Sequence, residues 1–277
     1  MNLDSAIPDA AIPTTAASAP PRANILGVPI DAIDLPAAVN SIDGWITRRE
    51  RHYVCVCNVH TVMECQGNEA IRQVYHQAGM VTPDGMPLVW VSRLMGFGGV
   101  GRVYGPDLTL ETFARSLERG WSHFFYGGAP GVAEKLVARM TARFPGLKIA
   151  GIISPPFRPL TPQEDDADVR RINDSGADIV WVGIGAPRQE QWMASHRARL
   201  NAPVLIGIGA AFDFLSDTKR QAPRWMMRSG LEWLFRFACE PRRLWRRYLV
   251  YNSMFVWMML MQFMGVRGGA RIQADAE

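Results

Sequence analysis

An α/β fold, with a mostly parallel sheet and helices on both faces, is what this 277-residue sequence predicts. Three observations carry the prediction. Short apolar runs alternate with stretches of helical periodicity over most of the chain. The runs are near-continuous in apolar residues rather than alternating, as expected of strands covered on both faces. Gly, Pro and polar residues follow the runs, and in such sheets ligands sit at the carboxyl ends of strands. The pattern is clearest from Asp178 to Asp217. There Ile179–Gly185 reads as a buried strand, Pro187 opens a helix carrying Arg188, Gln189, Glu190 and Gln191, and Val204–Ile208 is a second buried strand.

The other elements follow in order. Residues 1–22 are rich in Ala, Pro, Ser and Thr without periodicity and read as a disordered leader. The catalytic domain is expected over 23–220, a basic, amphipathic appendage over 221–267, and a short tail over 268–277. Ile25–Asp31 reads as a strand, and Leu35–Arg49 as a helix with Val39, Ile42, Trp45 and Ile46 at helical spacing. A strand at Tyr53–Cys57, one helix running to about Ala78, and a strand at Met80–Thr82 come next. Met86–Met95 is an apolar helix, followed by the Gly-rich stretch 96–101, which is either a connector or a loop over a cleft. Gly105-Pro106-Asp107 begins a helix, and His123–Tyr126 is a strand followed by Gly127-Gly128 and a helix to about Arg143. Leu147–Ile153 is a strand, residues 154–159 are extended loop, and Thr161–Ser175 is a helix with an acidic start.

The total charge is +4, but nine Lys and Arg against two Glu put +7 between Lys219 and Arg247, leaving −3 elsewhere. A basic end on a mildly acidic protein suits an anionic partner. Tyr248–Val266 carries no charge, yet Asn252, Ser253 and Gln262 interrupt it. It suits a helix lying in a membrane interface, with a transmembrane span or a core or oligomer helix as alternatives. Cys55, Cys57, Cys65 and Cys239 make no disulfide framework and read as small buried hydrophobes. The five His form no metal-binding pair, so no metal site is expected. The N-terminus shows no secretory signal pattern.

Asp84, in a Pro-Asp-Gly turn at a strand's carboxyl end, is the leading candidate for a general base, against a role as helix cap. Gly127-Gly128 before a helix suits a phosphate cradle. Gln189 and Glu190 suit hydrogen bonds to a sugar or base, Asn58 and His60 stand at a strand end, and Asp213 follows a strand. Arg242, Arg243, Arg246 and Arg247 cover one broad helix face that suits a diphosphate or lipid phosphates.

These pieces together resemble the WecG/TagA/CpsF family of glycosyltransferases, glycosyltransferase family 26, over about Ile25 to Arg267. The resemblance rests on Asn58-Val59-His60, Thr82-Pro83-Asp84-Gly85, Gly105-Pro106-Asp107, Phe125–Gly128, Ser154–Phe157, Gly183–Glu190, Gly207–Asp213 and the stretch from Ala222 to Tyr248. It implies a Rossmann-like, metal-independent enzyme without a cofactor. Such an enzyme moves a sugar from a UDP donor to a polyprenyl-diphosphate-linked sugar at the cytoplasmic membrane face, with inversion. It implies Asp84 as the base, Asn58 and Gln189 as sugar contacts, and one or more of the four tail Arg residues as completing the site, with Thr82, Gly127 and Gly128 in the matching motifs. Many relatives have Lys where Arg188 stands, and many have Thr where Val56 stands; the latter departure leaves N-acetylmannosamine, its uronic acid and glucose open as the donor sugar. Nucleic acid is not an expected partner; a homo-oligomer is possible. Two rivals are a nucleotide-dependent oxidoreductase, which lacks a GxGxxG motif here, and a non-enzymatic membrane or anion-binding module using the basic tail.

Overall fold

The computed structural model describes residues 20–265. Residues 1–19 of the expected leader, and the expected tail, lie outside the described residues; Arg22 already belongs to a strand. The expected single strand at Ile25–Asp31 is a hairpin of β1 (Arg22–Ile25) and β2 (Val28–Asp31). Leu26 and Gly27 turn it at positive φ, a conformation that Gly adopts readily.

Six strands form the central sheet: β3 (His52–Cys57), β4 (Met80–Pro83), β5 (Ser122–Gly127), β6 (Lys148–Ile153), β7 (Ile179–Gly183) and β8 (Val204–Gly207). Their order is β4-β3-β8-β7-β5-β6, with every pair parallel. Side chains alternate between two cores. Val54, Val56, Trp181 and Ile206 enter one; Cys55, Cys57, Val182 and Leu205 enter the other. Burial on both faces is why these strands read as unbroken apolar runs. The edge of β4 is covered by the hairpin: Asp31 accepts from the Val81 amide, and Arg22 donates to the carbonyls of Ala78 and Gly79.

The helices on the domain are α1 (Leu35–Arg48), α2 (Val59–Gly67), α3 (Glu69–Gln77), α4 (Met86–Leu94), α5 (Gly105–Arg119), α6 (Val132–Arg143), α7 (Pro162–Asp174), α8 (Arg188–His196) and α9 (Ala211–Leu215). The single helix expected up to Ala78 is two, because the Asn68 side chain accepts from the Ile71 amide at 3.2 Å and caps α3. The Gly-rich stretch 96–101 is a connector that does not line the cleft described below; Arg93 donates to its Val100 carbonyl.

The appendage comprises α10 (Arg224–Arg228), α11 (Glu232–Cys239), α12 (Pro241–Trp245), a π-helical turn (Arg246–Val250) and α13 (Tyr251–Phe263). One side of α13 is core: Phe255, Met258 and Met259 are buried in the cluster that holds Val59, Val62 and Met63. Gln262, which in the sequence interrupts an apolar run, is a docking contact that accepts from the Leu26 amide at 2.9 Å and donates to the Asn24 carbonyl at 2.7 Å. The other side exposes Met254, Val256, Trp257 and Leu260. Among the described residues no helix is long and apolar enough to cross a membrane.

Candidate active site

A cleft of about 1300 Å³ lies across the carboxyl ends of the strands, between the sheet and the appendage. Small residues after β7 and β8 open it, as a ligand site at parallel strand ends requires.

Asp84 follows β4 and lines the cleft, partly exposed to it. Its backbone is held on both sides: the amide donates to the Cys57 carbonyl at 2.8 Å, and the carbonyl accepts from Arg102 Nε. The carboxylate does not cap the helix that follows, since α4 has no side-chain cap. Oδ1 instead accepts from the Gly105 amide at 3.3 Å, at the start of α5. Burial pushes the Asp84 carboxyl above its ordinary range, while the positive charge of Arg102 opposes the rise. A buried carboxylate with a raised proton affinity, facing a cleft, suits a general base.

Arg102 carries no signal in the sequence, where it stands in a stretch without periodicity. It clamps the appendage to the site, donating to Glu232 Oε2 at 2.5 Å and to the Met227 carbonyl at 3.3 Å, with its guanidinium 4.3 Å from the Tyr104 ring centre. Both ion-pair partners are mostly buried, with side chains 16% and 14% exposed.

Asn58 lines the cleft while Oδ1 caps α2, accepting from the His60 amide at 3.1 Å and the Thr61 amide at 3.4 Å. That leaves its NH₂ group as the end available to a ligand. His60 stacks on Tyr251 of the appendage with ring centres 5.6 Å apart, and burial next to Arg247 and Arg236 lowers its pKa to about 4. It is therefore a neutral imidazole at neutral pH. Gln189 lines the cleft next to Gly207 and Gly209, and Asp213 lines it while paired with Lys219 at 3.0 Å.

The structure moves several expected contacts away. Thr82 is wholly buried in β4 and does not line the cleft. Gly127 does not line the cleft; Gly128 does, but its amide is already donated to the Gly183 carbonyl at 3.0 Å. Gly127 serves the close approach of β5 and β7: a Cβ there (φ +131°) would stand 2.5 Å from the Gly183 carbonyl carbon, whereas one on Gly128 would meet the side chains of Phe212 and Val132. Glu190 is also wholly buried and lies behind Gln189 rather than in the cleft.

The four tail arginines do not act as one face. The cleft is lined by Arg243 and Arg247, four residues apart on one side of the helix, and not by Arg242 and Arg246. Arg236 of α11 joins them. Arg243 pairs with Glu240, and Arg236 stands 3.9 Å from Glu232. Arg247 differs: among the described residues it has no carboxylate partner, and its Nε is buried without a hydrogen bond. Burial, before any other influence, lowers its pKa. Its guanidinium stands 5.8 Å from the Tyr248 ring centre and the Asp84 charge acts on it, and a partly buried cation with an unbonded Nε favours an arriving anion.

A carboxylate at the foot of a cleft, with guanidinium groups from a helical cap above it, suits a group-transfer enzyme. Comparison with known proteins gives the kind of group. Residues 23–268 match the model of the glycosyl transferase WecG/TagA/CpsF family, and the chain belongs to that family. It is a glycosyltransferase. A similar protein of Bacillus spizizenii, an N-acetylglucosaminyldiphosphoundecaprenol N-acetyl-β-D-mannosaminyltransferase, is 30% identical over 205 residues, covering 74% of this chain and 77% of that protein. A Bacillus subtilis protein of the same name is 26% identical over 224 residues, covering 78% and 85%.

Proposed function

We propose that the protein transfers a hexose or N-acetylhexosamine, of the glucose or N-acetylmannosamine type, from a UDP-sugar to a polyprenyl-diphosphate-linked sugar, at the cytoplasmic face of the membrane, in the synthesis of an exopolysaccharide or other cell-envelope polysaccharide. The observation that carries the reading is Asp84 in one cleft with Arg247, whose buried Nε makes no hydrogen bond among the described residues. The relatives' names supply the lipid-diphosphate acceptor and one of the two donor sugars.

Asp84 accepts the proton of the acceptor hydroxyl as its oxygen bonds to the anomeric carbon. The bond from that carbon to the UDP oxygen breaks on the opposite side, which inverts the configuration. Asn58 and Gln189 hold the sugar, and His60, neutral, offers a hydrogen bond without competing for the proton. Arg247, with Arg243 and Arg236, meets diphosphate charge. The exposed apolar side of α13 and the outward Arg242 and Arg246 rest on the membrane, apolar residues at the acyl boundary and guanidinium groups on lipid phosphates.

The test is transfer to a short polyprenyl-diphosphate-N-acetylglucosamine, read by mass spectrometry over a panel of UDP-sugars. One donor should give product, and Asp84→Asn should lower kcat about 10²- to 10⁴-fold with donor binding retained. No product with any donor, or full activity of the Asp84→Asn enzyme, would refute the reading.

A further inference from the structure

Gln189 and Glu190 open α8, where polar residues ordinarily face water, yet they are only 3% and 0% exposed. Gln189 Nε2 donates to Glu190 Oε1 at 2.9 Å. The amide's other end, Oε1, is buried without a partner in the fold, on a residue that lines the cleft. Two glycines make room for it: a Cβ on Gly207 would stand 3.1 Å from Nε2, and one on Gly209 3.2 Å from Oε1. An amide by itself offers a ligand either end, because oxygen and NH₂ are nearly the same size and exchange by a half-turn. An ionised carboxylate removes that freedom, since it can only accept.

We propose that Glu190 is a positioning residue that fixes the Gln189 amide with its carbonyl oxygen toward the cleft, so that the site selects a ligand bringing an N–H or O–H donor to that point. The proposal rests on the sugar-nucleotide reading above. Selectivity of this kind is steep, because a ligand without the donor leaves a buried oxygen unpaired. The donor belongs to the sugar (a hydroxyl or amide N–H) or to the nucleobase.

The surroundings make the orientation depend on the proton. Glu190 is faced by Cys55 and Cys57 of β3, Cys65 of α2 and Tyr75 of α3. The strands β7 and β8 carry no titratable residue. Among the described residues no ion pair includes Glu190, and its Oε2 is unpartnered. Burial raises its pKa to about 7. Once protonated, Glu190 becomes a donor, its best acceptor is the Gln189 carbonyl, and the amide turns its NH₂ to the cleft.

The experiment measures calorimetric affinity of the full chain for UDP and for the productive UDP-sugar at pH 6 and pH 8, with Glu190→Gln and Gln189→Leu alongside. Wild type should bind the UDP-sugar about three- to tenfold more weakly at pH 6, the effect of one neutral hydrogen bond. Glu190→Gln, whose amide no longer enforces one orientation, should bind more weakly at pH 8 with no pH dependence. Gln189→Leu should lose affinity and pH dependence together. A loss confined to the UDP-sugar assigns the donor to the sugar, and an equal loss with UDP assigns it to the base. Equal affinities of wild type and Glu190→Gln at both pH values would overturn the proposal. A measurement without ligand keeps the two readings apart: isotope-edited infrared spectra should show a carboxylic acid appearing in wild type between pH 8 and pH 6 and absent from Glu190→Gln. A missing band overturns the positioning mechanism even if transfer is observed. If Glu190→Gln fails to fold, an affinity for the UDP-sugar that is flat with pH in wild type does the same.

Discussion

Replacing Arg102 by Met should separate the appendage from the catalytic domain without touching a substrate contact directly. Arg102 holds three groups at once: the Asp84 carbonyl, Glu232 at 2.5 Å and the Met227 carbonyl at 3.3 Å. Breaking a fully buried pair from one side costs about 3–5 kcal/mol, since the partner charge stays buried. Here the side chains keep 16% and 14% of their exposure, and Glu232 retains Arg236 at 3.9 Å. A loss of about 2–3 kcal/mol in docking is therefore expected, which at 1.4 kcal/mol per tenfold raises the undocked fraction roughly 30- to 140-fold. The same change removes the positive charge that holds the Asp84 carboxyl down and leaves the Glu232 charge that pushes it up. On the proposed mechanism, Asp84 must be ionised to act as the base. Its raised pKa already places the acid limb of kcat above the ordinary carboxylate range, and in Arg102→Met that limb should move further up, so activity recovers only at higher pH. Two assays read the two effects: hydrogen exchange of the amides in α10 and α11, and kcat between pH 5 and pH 9. Unchanged exchange together with an unchanged acid limb would refute the reasoning. Faster exchange with the limb in place would show that Arg102 docks the appendage but does not govern Asp84.

Three further outcomes are expected. Arg247→Met removes a guanidinium that among the described residues has no carboxylate ion pair and whose buried Nε makes no hydrogen bond; it should raise KM for the lipid-diphosphate acceptor by tenfold or more at low salt, and leave the melting temperature the same or higher, which steady-state kinetics and thermal melts would check. Replacing Trp257 and Leu260 by Ser should reduce sedimentation with anionic vesicles and spare transfer to a detergent-solubilised acceptor, because both side chains are about half exposed on the free side of α13. Gly127→Ala forces a methyl group to 2.5 Å from the Gly183 carbonyl carbon at a φ of +131°; it should cost about 1–3 kcal/mol and lower the melting temperature by several degrees.

Much of the fold was legible in the residues themselves. β7 and β8 read as apolar runs because both faces of each are buried, and the helix between them read from Pro187 onward. Asp84 was legible for the same kind of reason: a Pro-Asp-Gly turn after a short strand leaves a charged group no place except the strand's end. Gln189 came from its place at the first turn of a helix after a strand, the sugar-contact reading of Asn58 from motif likeness, and both line the cleft. Local pattern failed where a contact came from a distant part of the chain. The hairpin at Arg22–Asp31 is pinned by β4 and by Gln262 of α13, some 50 to 240 residues away.

By itself, then, the sequence determined most of the central strands and the helices between them, that the sheet is buried on both faces, that a carboxylate stands at a strand end, and that the chain has a cationic tail. Those features follow from periodicity, turn chemistry and charge, all local. Only the tertiary structure decided that Gly127 is spent on strand packing, that Glu190 faces inward behind Gln189, and that Arg102 ties the cap to Asp84. It also decided that Arg247 and Arg243 turn to the cleft while Arg242 and Arg246 turn away. The physical reason is common to all four: the direction of a side chain and the partner that satisfies it are set by what packs around it, and spacing along the chain does not carry that information.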